Sequence, residues 1–531
     1  MRRLTLPVAI LVALAFAAGA AASPIFVLKG SGWGHGVGMS QYGALGRALD
    51  GQSYKQILGF YYDGTTVGPG GQKKVRVLLT AGRSALRISS DAAFKVGGKK
   101  LAANTAFRVV PTKDGRVRVV GKGKFGSPVT ASPKGELLRL DGARYRGSFR
   151  IHNHSGKLDL VNVVGLQGYL FSVVPREMPA SFAAEALRAQ AVAARSYAVR
   201  TERAGWYDLY DDTRDQVYGG YESGEPAAAV AAVKATAGEV VLYNGAVAST
   251  FFSSSNGGRT AASADTWGGV VPYLRSRKDP ADLNPANPNR SWTVTLSARA
   301  LRSRLGAGKA PLDAVVSSRV SGRVNRIRFE RGAWSQTLTG GPEHFRSALG
   351  LRSSRFTLGV LRLTASRTKV ACNGRVRLNL LVRNVGSVTL QRRTTGSSAW
   401  KNMAVKKVDS DEYTATARPC RGTTFRLHSP DASGSSVFVK VTPRIVFRDT
   451  QPAGGLRGLV SPLSLAGRTV HVTRERKDGT WKGVAAAVVR QDGKWRADFN
   501  VVEGVYRARI NPPDSSGLVT GYSPKLTVKL S

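Results

Sequence analysis

Cysteine and acidic residues are scarce in this chain of 531 residues. Cys372 and Cys420 are its two cysteines, too few for a zinc site built from cysteine ligands. The 34 Asp and Glu residues stand against 79 Lys and Arg residues, so the net charge is +45. A charge of this size attracts anionic partners over long range, unless it is simply spread over solvated faces. Compact basic runs interleaved with aromatic residues are missing too, which disfavours nucleic acid as the partner.

A hydrophobic run long enough to span a membrane, roughly 20 residues, is also missing. The chain begins with two arginines, a shorter apolar stretch from Leu4 to Ala18, and small residues up to Ala22. This pattern predicts a signal peptide over residues 1–22 and a secreted, soluble mature protein. Outside the cell we expect Cys372 and Cys420 to form a disulfide. The basic charge then favours anionic polymers of the cell wall or acidic lipid headgroups as partners.

The middle of the chain predicts an α+β domain. Between residues 75 and 160, short alternating runs such as VRVLL, RVRVV and KLDLV predict antiparallel strands. The Ala-, Arg- and Leu-rich stretch 183–203 predicts one long helix, and 227–237 predicts a second. The apolar run Tyr169–Val174 reads as a buried strand. We therefore expect antiparallel strands around a long helix.

The region after Phe356 predicts all-β structure. It shows no helical periodicity, and a weak repeat at an offset of about 81 residues predicts two sandwich-like modules, 359–444 and 445–531. The repeat pairs Trp400, Val408, Tyr413 and Phe425 with Trp481, Val489, Trp495 and Tyr506. Cys372 and Cys420 flank Trp400, an order that suggests an immunoglobulin-like core with its disulfide.

Glu177 is the first candidate for chemistry. It lies in VVPREMPASFAAEALRAQAVAARSYAV, between the predicted strand and the start of the long helix. Such a junction can project a side chain into a cleft from rigid supports. The alternative is that Glu177 only complements the positive end of a helix.

The same stretch, with the preceding LDLVNVVGLQGYLFSVVP, resembles the stage II sporulation protein D and amidase-enhancer family. DQVYGGYESGEP, FFSSSNGGRTAASADTWGG, PYLRSRKDP and FRSALGLRSSRF resemble further family blocks in the family's order. The resemblance implies a family domain over 23–358, of which 74–358 follows that order. It also implies that Glu177 is the catalytic residue of a lytic transglycosylase, which cleaves between N-acetylmuramic acid and N-acetylglucosamine and leaves a 1,6-anhydro end.

One carboxyl group can serve this reaction as acid and then as base. A hydrolase would need a second carboxylate, and Asp211, Asp212, Asp215 and Asp265 are possible partners that no spacing distinguishes. A general acid needs a raised pKa, whereas a helix N-terminus and Arg176 would lower the pKa of Glu177. Burial of the Glu177 carboxyl group would have to raise its pKa by more than these two effects lower it.

A glycine-rich segment near the N-terminus is the second candidate. GSGWGHGVGMSQYG brings six glycines together with His35 and Gln41. It resembles a family block that normally comes last, after the one matching FRSALGLRSSRF. We interpret this order as a circular permutation of the segment 25–66. It predicts that 25–66 packs beside 340–358 and that His35 and Gln41 line the cleft of Glu177.

Further substrate-binding candidates come from the other matching blocks. They are Arg195, Tyr197, Gln216, Tyr218, Ser254, Ser255 and Asn256. On the helix, buried polar residues such as Gln190, Arg195 and Tyr197 more often brace than touch substrate. SSSNGG is either a plain turn or a loop whose hydroxyls and amide bind sugar. Some relatives hold zinc at this loop, but Phe252 and Ser255 or Asn256 replace the ligands, so we expect no metal. We expect His152 and His154 to be exposed strand positions.

Three functions remain open on sequence grounds. The first is a secreted, wall-associated enzyme that needs no cofactor and cuts peptidoglycan glycan strands with Glu177. The second is a non-catalytic, wall-binding enhancer of an N-acetylmuramoyl-L-alanine amidase, which would be its partner. The third is a structural surface protein. Release of anhydro ends from glycan strands separates the first from the others.

Overall fold

The computed structural model describes residues 23–70, 73–133, 135–448 and 454–529. The expected signal peptide, residues 1–22, lies outside these ranges. None of the helices described is long and apolar enough to cross a membrane. The described part mixes helices with a larger number of mainly antiparallel strands. Its α-helices are α1 Gln41–Leu49, α2 Tyr54–Tyr61, α3 Leu166–Glu177, α4 Ala184–Arg200, α5 Ala227–Ala235, α6 Ser263–Trp267, α7 Ala298–Leu305 and α8 Gly341–Leu349.

Two sheets occupy most of the region between residues 74 and 165, as the alternating runs predict. Inward positions are apolar and outward ones polar, for example Leu86 and Ile88 around Arg87. One sheet has the order Leu209–Tyr210, Lys74–Arg83, Lys157–Gly165, Ser148–His154, Val129–Pro133, Phe94–Val96, Lys99–Leu101. The other has the order Gly123–Phe125, Val117–Val119, Phe107–Pro111, Leu86–Ser90, Leu138–Leu140, Ala143–Tyr145.

The long helix α4 lies at the centre of the helical part. Its alanines leave room for neighbours on several sides, and α1, α2, α3 and α5 all pack against it. The prediction of this helix is confirmed, with ends slightly inside those expected. The strand Glu239–Tyr243 follows α5 and pairs with Thr66–Pro69 and Ala246–Val247.

The expected strand Tyr169–Val174 is wrong, because this run belongs to α3. Leu166, Tyr169, Leu170, Val173 and Val174 are buried at intervals of three and four residues, which is the spacing of a helical face. The helix ends at Glu177, two residues before Pro179, which cannot continue it. Glu177 therefore closes a helix instead of preceding one.

The N-terminal segment is built into the rest of the domain. Ile25–Gly30 pairs antiparallel with Trp292–Ser297 on one side and with residues 356–361 on the other. Met39–Ser40 pairs in parallel with Phe252–Ser253. The segment 25–66 thus lies beside the residues expected of a permuted domain, while the permutation itself stays a prediction.

A six-stranded sheet joins this domain to the C-terminal region. Its order is Trp292–Ser297, Ile25–Gly30, Phe356–Ala365, Val376–Arg383, Glu412–Ala417, Lys406–Lys407. The expected boundary between residues 358 and 359 falls inside the strand Phe356–Ala365. The two parts therefore share one sheet. Beside it lies a three-stranded sheet of Asp313–Val320, Arg323–Arg331 and Trp334–Thr339.

The described residues after Phe356 form strands and short turns. A five-stranded sheet has the order Lys369–Ala371, Ala432–Thr442, Thr423–Ser429, Thr389–Thr394, Lys401–Met403. A three-stranded sheet follows with Arg444–Phe447, Gly455–Ser461 and Lys494–Asp498. The last sheet contains Trp481–Val488, Thr469–Glu475, Gly504–Ile510, Gly521–Tyr522 and Leu526–Val528. One hydrophobic core runs through all of them.

Of two details predicted for the C-terminal region, one is confirmed and one is wrong. Cys372 and Cys420 form the expected disulfide. Trp400, however, is not a core residue: it is half-exposed, and the guanidinium carbon of Arg426 lies 3.9 Å from its ring centre. The suggestion of an immunoglobulin-like tryptophan core is therefore wrong for Trp400.

Candidate active site

Glu177 lies at the corner between α3 and α4. The buried face of α3 fixes the helix against α4, and Met178, fully buried after it, holds the turn with an N–H bond to Val174. The Glu177 side chain is half-buried at this corner. Its position is thus set by two packed helices and not by a mobile loop.

The carboxylate of Glu177 is held from two other parts of the chain. The backbone N–H of Val217 donates to Oε1 at 2.7 Å. The side-chain amide of Gln41, at the start of α1, lies close enough to the carboxyl group to favour its ionised form. Gln41 is only 6% exposed, and its Nε2 lies 3.4 Å from Oε1 of Gln190 on α4. The structure therefore brings Gln41 beside Glu177, as the sequence predicts.

The pKa of Glu177 is raised above its ordinary value. Burial is the main cause, and the hydrogen bond from Val217 and the nearby Gln41 amide oppose it by favouring the ionised form. Arg176 has no part in this balance, because its guanidinium turns away to Ser172 and Glu222. The last turn of α3 carries the negative end of a helix dipole, which also favours a protonated carboxyl group.

Gln216 and Tyr218 flank Val217, and both are buried. Tyr169 donates its hydroxyl to Oε1 of Gln216 at 3.1 Å, and Gln216 donates to the carbonyl of Ala194 at 3.3 Å. Tyr218 donates to Oδ1 of Asn162 at 2.7 Å. These contacts fix the loop so that the Val217 N–H points at Glu177. The structure places both predicted residues beneath the site, where they position it.

Tyr197 and Asp215 fix the same loop. Oδ1 of Asp215 accepts hydrogen bonds from the Tyr197 hydroxyl at 2.8 Å and from the Arg203 guanidinium at 2.9 Å. The backbone N–H of Tyr210 donates to the other oxygen. The Asp215 side chain has no exposed surface. It is therefore occupied as a structural anchor and is a poor second catalytic carboxylate.

The other candidate carboxylates are also placed elsewhere. Asp212 forms an exposed ion pair with Arg214, and Asp265 accepts a hydrogen bond from Ser321. Asp211 lines a groove formed by an earlier part of the loop that contains Asp215. None of these groups contributes to the pKa shift of Glu177.

Arg195 braces the fold. It is 2% exposed and donates to the carbonyls of Glu239 at 3.0 Å and Val233 at 3.2 Å. Burial lowers its pKa to about 10, which still leaves it charged at neutral pH. These bonds tie α4 to α5 and to the strand after it.

His35 connects the glycine-rich segment to a neighbouring strand. Its Nδ1 accepts the N–H of Val37 at 3.0 Å, and the nearby Phe252 backbone favours the protonated ring. Burial, with Arg323 and Arg346 nearby, lowers the pKa of His35 to about 3. The imidazole is therefore neutral, and its Nδ1 is engaged with the backbone. Gly36 lies at φ +71°, and a Cβ there would overlap the guanidinium of Arg323.

Ser255 and Asn256 are buried and hold a carboxylate. Asp282 accepts hydrogen bonds from the Ser255 hydroxyl at 2.8 Å and from the backbone N–H groups of Gly257 and Gly258. Asn256 donates its side chain to Asp279 at 2.7 Å. Both aspartates are fully buried. The serine-rich loop is thus folded inward onto two carboxylates that sequence reasoning did not select.

Ser254 remains half-buried beside the start of α1. Its carbonyl accepts the N–H of Tyr42 at 3.0 Å. His152 is stacked on Trp206 and is only half-exposed, whereas His154 is exposed as predicted. Within the described ranges, no three His, Cys, Asp or Glu side chains are grouped so as to hold a metal ion. The expectation of a metal-free site stays a prediction.

Comparisons with known proteins match the segment that carries this corner. Residues 154–243, from the strand before α3 to the strand after α5, match the family model described as stage II sporulation protein. An amidase enhancer of Bacillus subtilis (strain 168) is 38% identical over 169 residues, covering 32% of this chain and 23% of that protein. A stage II sporulation protein D of Bacillus amyloliquefaciens is 33% identical over 228 residues, covering 39% of this chain and 62% of that protein.

The chain thus spans less than two thirds of the length of these relatives. Among solved structures, a DUF4785 family protein from Legionella pneumophila matches 31% of this chain and 56% of that one, with 11% identity and a TM-score of 0.22. A likeness this low says nothing further about the site.

Proposed function

We propose that this chain, whose residues 154–243 match the stage II sporulation protein family model, is a wall-associated lytic transglycosylase. Its substrate would be the glycan strand of peptidoglycan, cut between N-acetylmuramic acid and N-acetylglucosamine. Glu177 would be the catalytic residue. The same proposal includes export of the protein from the cell. It also includes attraction of its net charge of +45 to anionic polymers of the wall.

The observation that carries the proposal is the raised pKa of Glu177. Its carboxyl group is half-buried, burial is the main cause of the shift, and no other carboxylate in the described part of the chain contributes to that shift. A retaining or inverting hydrolase requires two carboxylates about 5 to 9.5 Å apart. A lone acid suits a reaction in which one group gives and then reclaims a single proton.

The proposed reaction balances without water. Protonated Glu177 gives its proton to the glycosidic oxygen as the bond from that oxygen to the muramic anomeric carbon breaks. The resulting carboxylate takes the proton of the muramic C6 hydroxyl, whose oxygen bonds to the anomeric carbon. The products are a free hydroxyl on one fragment and a 1,6-anhydro ring on the other, with Glu177 protonated again. The Val217 N–H and the Gln41 amide would stabilise the carboxylate between the two transfers.

The second candidate is an enhancer of a wall amidase. It is favoured by the 38% identity to a protein named amidase enhancer. In that case the corner around Glu177 would bind glycan or the amidase without cleaving a bond.

The test compares the wild-type protein with Glu177→Gln on purified glycan strands. The wild type should release anhydro-muramic ends, and Glu177→Gln should lower the rate by about 10²-fold or more, because the acid is lost while the shape is kept. Glu222→Gln, an exposed glutamate paired with Arg176, is the matched control and should retain activity. If no variant releases anhydro ends but wild type and Glu177→Gln equally stimulate an added N-acetylmuramoyl-L-alanine amidase, the enhancer function replaces this proposal.

A further inference from the structure

A groove of about 310 Å³ opens between the strand Lys74–Arg83 and the segment 206–214. None of its residues belongs to the corner around Glu177. Its wall combines three aromatic rings with charged groups: Trp206, Tyr207, Tyr210, Asp159, Asp211 and Arg214. We propose that this groove is a second saccharide-binding site, which takes an N-acetylamino-sugar unit of the glycan strand. The proposal rests on the proposed function for its choice of ligand.

The aromatic wall is held rigidly before any ligand arrives. Trp206 stacks on His152 with ring centres 5.5 Å apart, and His154 meets it edge-on at 5.0 Å. The hydroxyl groups of Tyr207 and Tyr210 lie 2.7 Å apart, with ring centres at 5.2 Å. A fixed aromatic surface loses little conformational freedom when it binds a flat ligand face.

Polar groups beside the rings match the hydroxyl and acetamido groups of a sugar. Asp211 is half-buried, burial raises the pKa of its carboxyl group, and no other described residue donates a hydrogen bond to that group. Asp159 has one oxygen held by the N–H of Gly82 at 2.8 Å, and its other oxygen lies 3.6 Å from Nδ1 of His154. Small-ligand sites typically combine an apolar wall with a few such oriented polar groups, in volumes from about 300 Å³ upward.

A cationic ligand fits the groove less well than a neutral sugar. The guanidinium carbon of Arg214 already lies 3.6 Å from the centre of the Tyr210 ring, so a cation is already stacked on that ring. The chain as a whole carries +45 and repels cations. A purely apolar ligand would desolvate Asp211 without giving it a partner. A pyranose ring offers an apolar face to the aromatic wall and hydroxyl donors to the carboxylates.

The groove and Glu177 share one loop. The segment that supplies Trp206, Tyr210 and Asp211 continues to Val217, whose N–H holds Glu177. Asp215 locks this segment in place. A glycan strand bound in the groove would therefore be anchored on the same loop that positions the candidate acid. This arrangement would retain a long strand between cleavage events.

The test uses the N-acetylglucosamine trimer as probe and a Glu177→Gln protein, so that no turnover occurs. Hydrogen–deuterium exchange should show protection of residues 73–83 and 206–214 on addition of the trimer. Titration calorimetry should show about five-fold weaker binding for Trp206→Ala, since stacking on one aromatic ring contributes on the order of 1 kcal/mol. Asp211→Asn preserves the shape of the groove and should weaken binding several-fold.

Trp400→Ala is the control, because Trp400 is also half-exposed but lies in the C-terminal region. Melting temperatures establish that each variant is folded. Absence of protection at 206–214, or unchanged affinity in both groove variants, would overturn the inference. The probe is bound and not cut, so this result does not depend on whether anhydro ends are released. Failure of the binding-site inference can therefore be distinguished from failure of the enzymatic proposal.

Discussion

The proton of Glu177 links its chemistry to the stability of the fold. Because burial raises its pKa in the folded state, the folded protein holds this proton at pH values where the unfolded chain, with a pKa near 4.5, has lost it. The stabilisation from the protonated group is complete below the unfolded pKa. It is lost as the pH rises through the folded pKa.

Glu177→Gln should therefore become more stable relative to wild type as the pH rises. Glutamine cannot ionise, so it avoids the cost of a half-buried carboxylate. Urea unfolding at about pH 4 and about pH 7.5 should show a larger advantage for the variant at the higher pH. Glu222→Gln, which removes an exposed carboxylate, should show no such gain. A difference that is flat or reversed with pH would mean that burial does not raise the pKa of Glu177.

Sequence reasoning predicted that Gln41 lies near Glu177 but missed the groups that hold this corner together. Val217 acts through its backbone N–H, which every residue except proline carries, so no side-chain pattern can mark it. Asp279 lies in the block PYLRSRKDP, but its partners Tyr61 and Arg47 are more than 200 residues away in the chain. Ser255 in SSSNGG looks available for sugar until the buried carboxylate of Asp282 is seen to accept its hydrogen bond.

At the scale of elements, prediction succeeded where one pattern dominated. Only a helix fits the run of Ala, Leu, Glu and Arg in α4. Only a strand fits the alternation in Lys157–Gly165. α3 was misread because its short apolar run fits a buried strand as well as a helix. The helical spacing becomes visible only when Leu166, three residues before this run, is included.

Arg195 gives an element-scale test of bracing against substrate binding. Arg195→Met would remove the hydrogen bonds to the carbonyls of Glu239 and Val233, of which Val233 keeps a bond from Gln167, and should lower the free energy of unfolding by about 2 kcal/mol. The KM for glycan strands should stay unchanged below the melting temperature, since the guanidinium is buried between helices. Arg188→Met on the exposed side of the same helix should cost less than about 1 kcal/mol. A raised KM with unchanged stability would instead indicate that Arg195 contacts the substrate.

On the scale of the whole molecule, the domain and the C-terminal region form a continuous structure. The strand Phe356–Ala365 lies between Ile25–Gly30 and Val376–Arg383 in one sheet. Arg383 binds Asp313 of the domain at 2.9 Å and Asp411 of the C-terminal region at 2.7 Å. Lys29 and Asp431 form a second ion pair across the same junction. The composition shift near residue 356 therefore falls within a sheet that both parts share.

This continuity predicts which shortened chains will fold. A chain ended after Leu358 removes most of the strand that pairs with Ile25–Gly30 and exposes buried residues such as Val27 and Phe26, so it should be recovered as aggregate. A chain ended after Thr442 keeps the six-stranded and five-stranded sheets complete. It should be monomeric by size-exclusion chromatography with a native-like near-ultraviolet circular dichroism spectrum. Its melting temperature should be lower, because the hydrophobic core continues into the sheets it has lost. If the chain ended after Leu358 were instead monomeric and folded, the shared sheet would not be needed for the domain, and the boundary expected from the sequence would be restored.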